Sequence, residues 1–282
     1  MNNINKYCNN NTIYELNDIN HSESTLYING NILYKKMNLF NNNMQNKINT
    51  VNTLINNKNI INIPEIILPN NISYLDKEKG IIIISEPFIN NINLKHILKS
   101  EEYSFKEKIN YLKEIGIILE KMKQVRTNTN FKNFFIGDLY PDNFILNKET
   151  QKINLIDTDS IKVNDNNNPS YYLYENKIID TIDKYQKREL PYFTEYTIDE
   201  NTDLFCYTIM LLNFISSYNI NKFNKEEFNS FIEYLYSIGL SNNLLTIFSN
   251  IYSSNNNINP YPYIDELINY EEDLKHKKYI LK

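Results

Sequence analysis

The stretch that most constrains the fold is residues 134–163, in which two polar loops are separated by apolar segments. Asp138 and Asn143 lie in the first loop, and Asp157 begins the second loop directly after the mostly apolar run Ile153–Ile156. The residues between the loops read FILN, a polar turn and then INLI, which predicts a β-hairpin. Folding this hairpin brings Asn143 and Asp157 close together, as two oxygen ligands of one hard cation must be.

The Asp-to-Asn spacing alone is weak evidence, because asparagine is the dominant polar residue of this chain. An Asx-rich surface turn would explain Asp142 and Asn147 equally well, since Asp and Asn bond their own backbone in turns. Such a turn explains poorly why Asp157 ends a run that reads as a buried strand. The context therefore favours a site that holds a cation and handles a proton, as phosphoryl transfer requires.

Composition limits the class of protein. The chain has 282 residues, enough for one two-lobed domain or two small ones, and 41% of them are hydrophobic. It contains no Ala and no Trp, and its Asn, Ile, Lys and Tyr have A/T-rich codons, so we interpret the bias as genomic. The net charge is −5 with both signs interspersed, and the absence of a basic stripe argues against a nucleic-acid partner.

Cysteine usage and hydropathy indicate a cytoplasmic protein, of the producing cell or of an infected host. Cys8 and Cys206 have neither metal nor redox spacing, which is typical of a reducing compartment. The first residues, MNNINKYCNN, lack the charged-then-apolar pattern of a signal peptide. The longest mostly apolar run, Leu204–Ile215, is too short to span a bilayer and predicts a buried helix.

The first part of the chain, about 12–88, is rich in strand signals and contains one helical pattern. The predicted elements are the strands Thr12–Leu16, Thr25–Ile28, Ile32–Met37, Ile72–Leu75 and Gly80–Ser85 and a helix over 44–57. Asn29-Gly30 predicts a tight hairpin turn between the second and third strands.

From about residue 92 onward helical spacing dominates. The predicted helices are Leu94–Leu98, Phe105–Lys123, 203–216, 225–238, 243–252 and one that starts near Pro262. A long polar segment, 164–201, separates the hairpin from the later helices. A loop of that length inside a compact domain is usually functional or disordered.

This order of elements resembles the protein kinase-like fold over nearly the whole chain. Asp138-Leu139-Tyr140-Pro141-Asp142-Asn143 resembles the catalytic loop of that family, and Asp157-Thr158-Asp159 falls where its metal-binding Asp-Phe-Gly lies. The resemblance implies an α+β, two-lobed fold with ATP between the lobes: a small β-rich N-lobe with one helix over 1–88 and a larger, mainly helical C-lobe over 89–282. The residues of these two motifs resemble those of a bacterial subgroup of kinase-like proteins more than those of animal signalling kinases.

The resemblance also implies roles for individual residues. Asp138 would accept the proton of the attacking hydroxyl, and Asn143 and Asp157 would hold Mg²⁺ against the phosphates of ATP. Lys35 would contact the α- and β-phosphates, with Lys36 as the alternative because strand alternation sends one of the two into the cleft.

Two further parts of the family pattern can be located. The hinge would be Glu86-Pro87-Phe88, and its backbone carbonyl and N–H groups would bind adenine. Proline has no backbone N–H, so Pro87 would have to occupy a position where adenine needs no donor. Asp203 would open a central helix and bond the backbone of the catalytic loop. The simpler alternative for Asp203 is an ordinary acid in the first turn of a helix that is capped by Asn201 or Thr202.

The departures from the family pattern concern the phosphate-binding side. Residues 1–29 contain no glycine, and Asn17–Ser24 takes the place of the glycine-rich loop. The helix 44–57 has no Glu to pair with the strand lysine, and Gln45 or Asn49 would be a weaker substitute. Tyr140 replaces the lysine of the catalytic loop, and Asp159 replaces the usual Gly.

Three functions are consistent with these residues. The first is an Mg²⁺- and ATP-dependent phosphotransferase acting on Ser or Thr of a protein, with an atypical glycine-free phosphate loop. The second is a pseudokinase serving as a nucleotide-binding or protein-interaction module. The third is a small-molecule kinase or an AMP transferase on the same fold. The small-molecule kinase ranks lower because 89–105 is too short for a large acceptor insertion.

Overall fold

The computed structural model describes residues 14–15, 24–38, 43–131, 133–164, 199–220, 223–252 and 257–275. Its strands are β1 (Tyr14–Glu15), β2 (Ser24–Asn29), β3 (Ile32–Asn38), β4 (Asn71–Asp76), β5 (Ile81–Pro87), β6 (Asn91–Asn93), β7 (Phe134–Phe135), β8 (Phe144–Asn147), β9 (Lys152–Leu155) and β10 (Lys162–Val163). Its α-helices are α1 (Asn43–Asn56), α2 (Lys58–Ile61), α3 (Leu94–Lys99), α4 (Phe105–Asn128), α5 (Glu200–Ser216), α6 (Lys225–Ser237), α7 (Asn242–Ser249) and α8 (Glu271–Lys275). The predicted α+β class is confirmed: an antiparallel sheet comes first, and a mainly helical part follows.

The N-terminal sheet has the order β1-β2-β3-β5-β4, and every neighbouring pair is antiparallel. Gly30 and Asn31 form the turn between β2 and β3, because Asn29 pairs with Ile32. The predicted turn at Asn29-Gly30 is therefore one residue too early. Gly30 has a φ of 57°, which a residue without a Cβ adopts at little cost.

Helix α1 covers one face of this sheet. Ile48 and Val51 on the helix pack against Met37, Ile82 and Ile84 on the central strands. These contacts confirm the apolar stripe predicted from helical spacing. They also fix the helix above the face to which Lys35 belongs, since Lys35 and Met37 are two residues apart on β3 and both are buried.

The C-terminal part is built around α5, which is buried on nearly all sides, as its all-round apolar sequence predicts. Its N-cap is Asp199, whose carboxylate accepts the N–H of Thr202 at 2.9 Å, so the predicted cap at Asn201 or Thr202 was wrong. The predicted helix near Pro262 instead begins as a 3₁₀-helix, Ile264–Tyr270, and continues as α8. No helix among the described residues is long and apolar enough to cross a membrane.

The predicted hairpin of residues 134–163 is present as β8 and β9, with Phe144 opposite Leu155. Strand β6 pairs with β8 on the other side, and β10 pairs with β7. These short strands hold both polar loops against the buried core of the helical part. The predicted strand at Thr12–Leu16 and the loops at Asn17–Ser24 and 164–201 lie largely outside the described residues.

Candidate functional site

Lys35 on β3 occupies the centre of a buried ionic cluster. Its Nζ lies 3.0 Å from Asp157 Oδ1, 3.2 Å from Asp159 Oδ1 and 3.2 Å from Glu86 Oε2. The Lys35 side chain is 7% exposed, whereas that of Asp157 is 44% exposed. The cluster therefore has a buried lysine at its centre and one carboxylate that is partly exposed to solvent.

Lys47 on α1 completes the cluster from the opposite side. Its Nζ lies 2.7 Å from Asp159 Oδ2, and both side chains are 1% exposed. Asp159 thus accepts a hydrogen bond from Lys35 through one carboxylate oxygen and forms an ion pair with Lys47 through the other. Strand β3, helix α1 and the loop after β9 all meet at this one carboxylate.

Burial and charge act against each other in the cluster. Burial disfavours the charged form of Lys35, but Glu86, Asp159 and Asp157 outweigh it and hold the pKa of Lys35 well above its ordinary value. Burial likewise opposes the charge of Asp159, yet Lys47 and Lys35 keep the pKa of that carboxyl far below its usual range. Burial does prevail at Glu86, where it raises the pKa to about 7 despite Lys35. Glu86 therefore takes up a proton at a higher pH than an ordinary glutamate does.

The loop that contains Asp138 is held together by Asn143. The Asn143 side-chain amide donates to the Asp138 backbone carbonyl at 2.7 Å and lies 3.3 Å from Asp138 Oδ2. Pro141–Asn143 form one turn of 3₁₀-helix between the two residues. Because the amide nitrogen is used inside the loop, the Asn143 amide oxygen is the atom that can bind a cation.

The second loop is joined to the first through the hairpin backbone. The Ile156 N–H donates to the Asn143 carbonyl at 2.9 Å, which places Asp157 one residue from that contact. Asp157 has a φ of 59°, a left-handed conformation that is uncommon outside glycine. Non-glycine residues in this conformation cluster at functional sites, where the surrounding structure compensates for the strain.

Asp203 fixes the start of the first loop through hydrogen bonds to its backbone. Its two carboxylate oxygens accept the N–H groups of Ile136 at 2.8 Å and Gly137 at 2.9 Å. The residue is 3% exposed, and burial raises its pKa to about 7 although the two donors favour the charged form. The predicted contact between Asp203 and the backbone of the loop is confirmed, and the simpler reading of an ordinary helix acid is excluded.

Two sequence expectations for the lysine and its helix partner need correction. Lys36 is half-buried on the opposite face of β3, so Lys35 is the residue that enters the cluster. Gln45 and Asn49 do not substitute for a helix glutamate, because their exposed side chains bond each other at 2.8 Å. Lys47 was missed, although a lysine four residues before the apolar Val51 signals a buried partner.

The predicted hinge also differs from expectation. Glu86 was predicted to act through its backbone, but its side chain is buried against Lys35. The Phe88 N–H donates to the Asn31 carbonyl at 2.9 Å and is therefore not available to a bound base. Pro87 has no N–H, so neither of these two residues offers a backbone donor.

The oxygen atoms beside Asp157 suit a hard cation. The described residues contain no group of three or more His, Cys, Asp or Glu side chains arranged to hold a metal ion. A cation between Asn143 and Asp157 would have two protein oxygens and would take its other ligands from phosphate or water. That is the usual environment of Mg²⁺ beside a nucleotide, so the donor set fits.

Comparison with known proteins gives no match: neither a family model nor a curated protein is similar to this chain in sequence.

Proposed function

We propose that this protein is an Mg²⁺- and ATP-dependent phosphotransferase with a two-lobed, protein kinase-like fold. One observation carries the proposal: Lys35 and Asp157, 122 residues apart in sequence, lie 3.0 Å apart. A phosphate-binding cation and a metal-binding carboxylate are thereby brought together from two parts of the chain. Phosphoryl transfer depends mainly on positioning and on neutralising charge, which these groups supply.

The fold supports this proposal through its connections. A sheet with helix α1 and the four-residue helix α2 inserted between its third and fourth strands precedes the helical part, and the β8–β9 hairpin separates the two polar loops. Asp203, in the first turn of the central helix α5, fixes the loop backbone next to Asp138. Each of these features except α2 was expected from the resemblance to protein kinases.

The roles of the side chains follow from their positions. Asp138 orients the acceptor hydroxyl and takes its proton, since its loop is fixed by Asn143 and Asp203. Lys35 binds the phosphates from the cleft side. Asn143 and Asp157 would hold Mg²⁺, which supplies positive charge against the phosphate oxygens when it is bound.

The acceptor that fits best is a hydroxyl of a protein. Strand β6 and helix α3 follow β5 after only a few residues, so the chain has no long insertion at that point. The short connection favours a Ser or Thr side chain of a protein over a small molecule as the acceptor. The test follows label on the protein itself and on the proteins of a cell extract, so it does not require the acceptor to be known.

The test compares transfer from ATP labelled at the γ-phosphate with transfer from ATP labelled at the α-phosphate. We expect γ-label on protein, lost on removal of Mg²⁺ and reduced about 100-fold or more in Asp138→Ala. Asp142→Ala is the matched control, because Asp142 is exposed in the same loop and pairs with Lys95. Transfer that is as fast in Asp138→Ala as in the unaltered protein would refute the role of Asp138, and α-label would indicate AMP transfer.

A second function is favoured by one observation. Lys35 has three carboxylate partners, which compete with any phosphate for the same ammonium group. A nucleotide-binding module without transfer activity would show a melting temperature that rises with ATP and Mg²⁺ and no transfer of label. The two measurements together separate the two functions.

A further inference from the structure

The buried carboxylate of Asp159 connects two lysines that belong to different elements. Its Oδ1 lies 3.2 Å from Lys35 on β3, and its Oδ2 lies 2.7 Å from Lys47 on α1. We infer that Asp159 and Lys47 are positioning residues, which together hold the Lys35 ammonium where it meets the phosphates. This inference rests on the proposed function.

The arrangement exchanges the charges that the family resemblance led us to expect. There, a carboxylate on the helix pairs with the strand lysine, and the position of Asp159 is a glycine. Here the carboxylate is on the loop, and the helix supplies a cation, Lys47, that binds the far side of the same carboxylate. The carboxylate of Asp159 on the loop thus takes the place of the glutamate that is missing from the helix.

Burial makes the linkage stiff. Lys47 and Asp159 are each 1% exposed, so neither charge can turn to water if the other moves away. An outward movement of α1 would take Lys47 away from Asp159 and leave the buried charge of Asp159 balanced by Lys35 alone on this side of the cluster, which is unfavourable. The position of α1 and the position of Lys35 are therefore coupled through Asp159.

The cluster also explains why Lys35 does not collapse onto a single carboxylate. Glu86 on β5 and Asp159 on the loop lie on the same ammonium at 3.2 Å each. Lys47 contacts Asp159 from the other side, so the negative charge of Asp159 is divided between Lys47 and Lys35. Removing Lys47 would concentrate Asp159 on Lys35 and make that lysine less available to a phosphate.

The experiment measures how much Lys35 contributes to binding of ATP with Mg²⁺, by titration calorimetry, in two backgrounds. In the unaltered protein, Lys35→Met is expected to weaken binding about 10- to 100-fold. In the background Lys47→Met with Asp159→Asn, which removes one charge of each sign, the same change is expected to cost about threefold or less. A loss in the double background that is equal to that in the unaltered protein, or larger, overturns the positioning role, because Lys35 would then bind ATP without being held by Asp159 and Lys47.

A conservative variant guards against a background that does not fold. Lys47→Arg keeps a cation beside Asp159, so Lys35→Met should again weaken binding about 10- to 100-fold there. If the loss vanishes in Lys47→Arg as well, the inference fails, since the link to Asp159 would then have no bearing on Lys35.

Unfolding in urea without nucleotide tests the linkage separately from the proposed function. The effects of Lys47→Met and Asp159→Asn on the unfolding equilibrium should be non-additive by about thirtyfold. The exposed pair Lys113 and Asp265 is the matched control and should show about fivefold coupling or less. If the unaltered protein does not bind ATP, the proposed function fails, and coupling no larger than that of the control pair overturns the linkage itself.

Discussion

Replacing Asp203 tests whether the loop that contains Asp138 depends on one buried carboxylate for its position. Asp203→Ala leaves the N–H groups of Ile136 and Gly137 buried without an acceptor, and each such donor costs about 1–3 kcal/mol. Burial of the carboxylate is itself unfavourable, as its pKa of about 7 indicates, so part of this loss is recovered when it is removed. We therefore expect Asp203→Ala to lower the unfolding free energy by about 2–4 kcal/mol. Asp203→Asn keeps one acceptor oxygen and should cost about half as much.

Urea unfolding at neutral pH measures both variants, and amide hydrogen exchange reports directly on Ile136 and Gly137. Asp199→Ala is the matched control, because it removes the N-cap of the same helix, a loss of about 1 kcal/mol. Exchange at the two amides should accelerate in Asp203→Ala and stay slow in Asp199→Ala. The reasoning is refuted if Asp203→Ala is no less stable than Asp199→Ala, or if the two amides stay equally protected.

Two other changes test the cluster and the helical core. Burial raises the pKa of Glu86 from 4.5 to about 7, so the folded chain holds a proton that the unfolded chain releases, and this stability is lost as pH rises through that window. In Mg²⁺-free buffer, Glu86→Gln should reduce the loss of unfolding free energy between about pH 5 and about pH 8 by about 2 kcal/mol, and an unchanged slope would contradict the assignment. Gly116→Ala in α4 would place a Cβ against Tyr261 and 2.9 Å from the Tyr207 hydroxyl, so it should destabilise the protein by about 1–3 kcal/mol in thermal unfolding. An ordinary helix gains about 1 kcal/mol from the same change, and a gain here would refute this packing.

Sequence patterns located the longer helices and strands because those depend on local periodicity, and they missed the short elements α2, β6, β7 and β10. Alternation allowed only one of Lys35 and Lys36 to enter the cleft, and an acid before the apolar run of α5 predicted the buried Asp203. The turn at Gly30 was displaced by one residue, since Asn-Gly and Gly-Asn are both good two-residue turns.

The ionic partners were not predictable in the same way. Glu86, Asp159 and Lys47 meet at Lys35 only after the sheet, helix and hairpin have packed, and no local spacing encodes that meeting. Lys47 carried one usable signal, because it lies on the buried side of α1 together with Val51 and Leu54. A lysine within an apolar stripe indicates a buried counter-charge, but it does not say which carboxylate supplies it.

The three carboxylates around Lys35 differ in their exposure to solvent, and this difference indicates different roles. Glu86 and Asp159 have side chains 3% and 1% exposed, so they remain with the lysine in any state that keeps the fold packed. Asp157 is 44% exposed and shares its lysine with both, so it can leave Lys35 at low cost. Under the proposed function, Asp157 is the carboxylate that turns to a cation, and Lys35 then has one partner fewer and room for a phosphate. The two buried carboxylates thus hold the lysine, and the exposed carboxylate is the one that can release it.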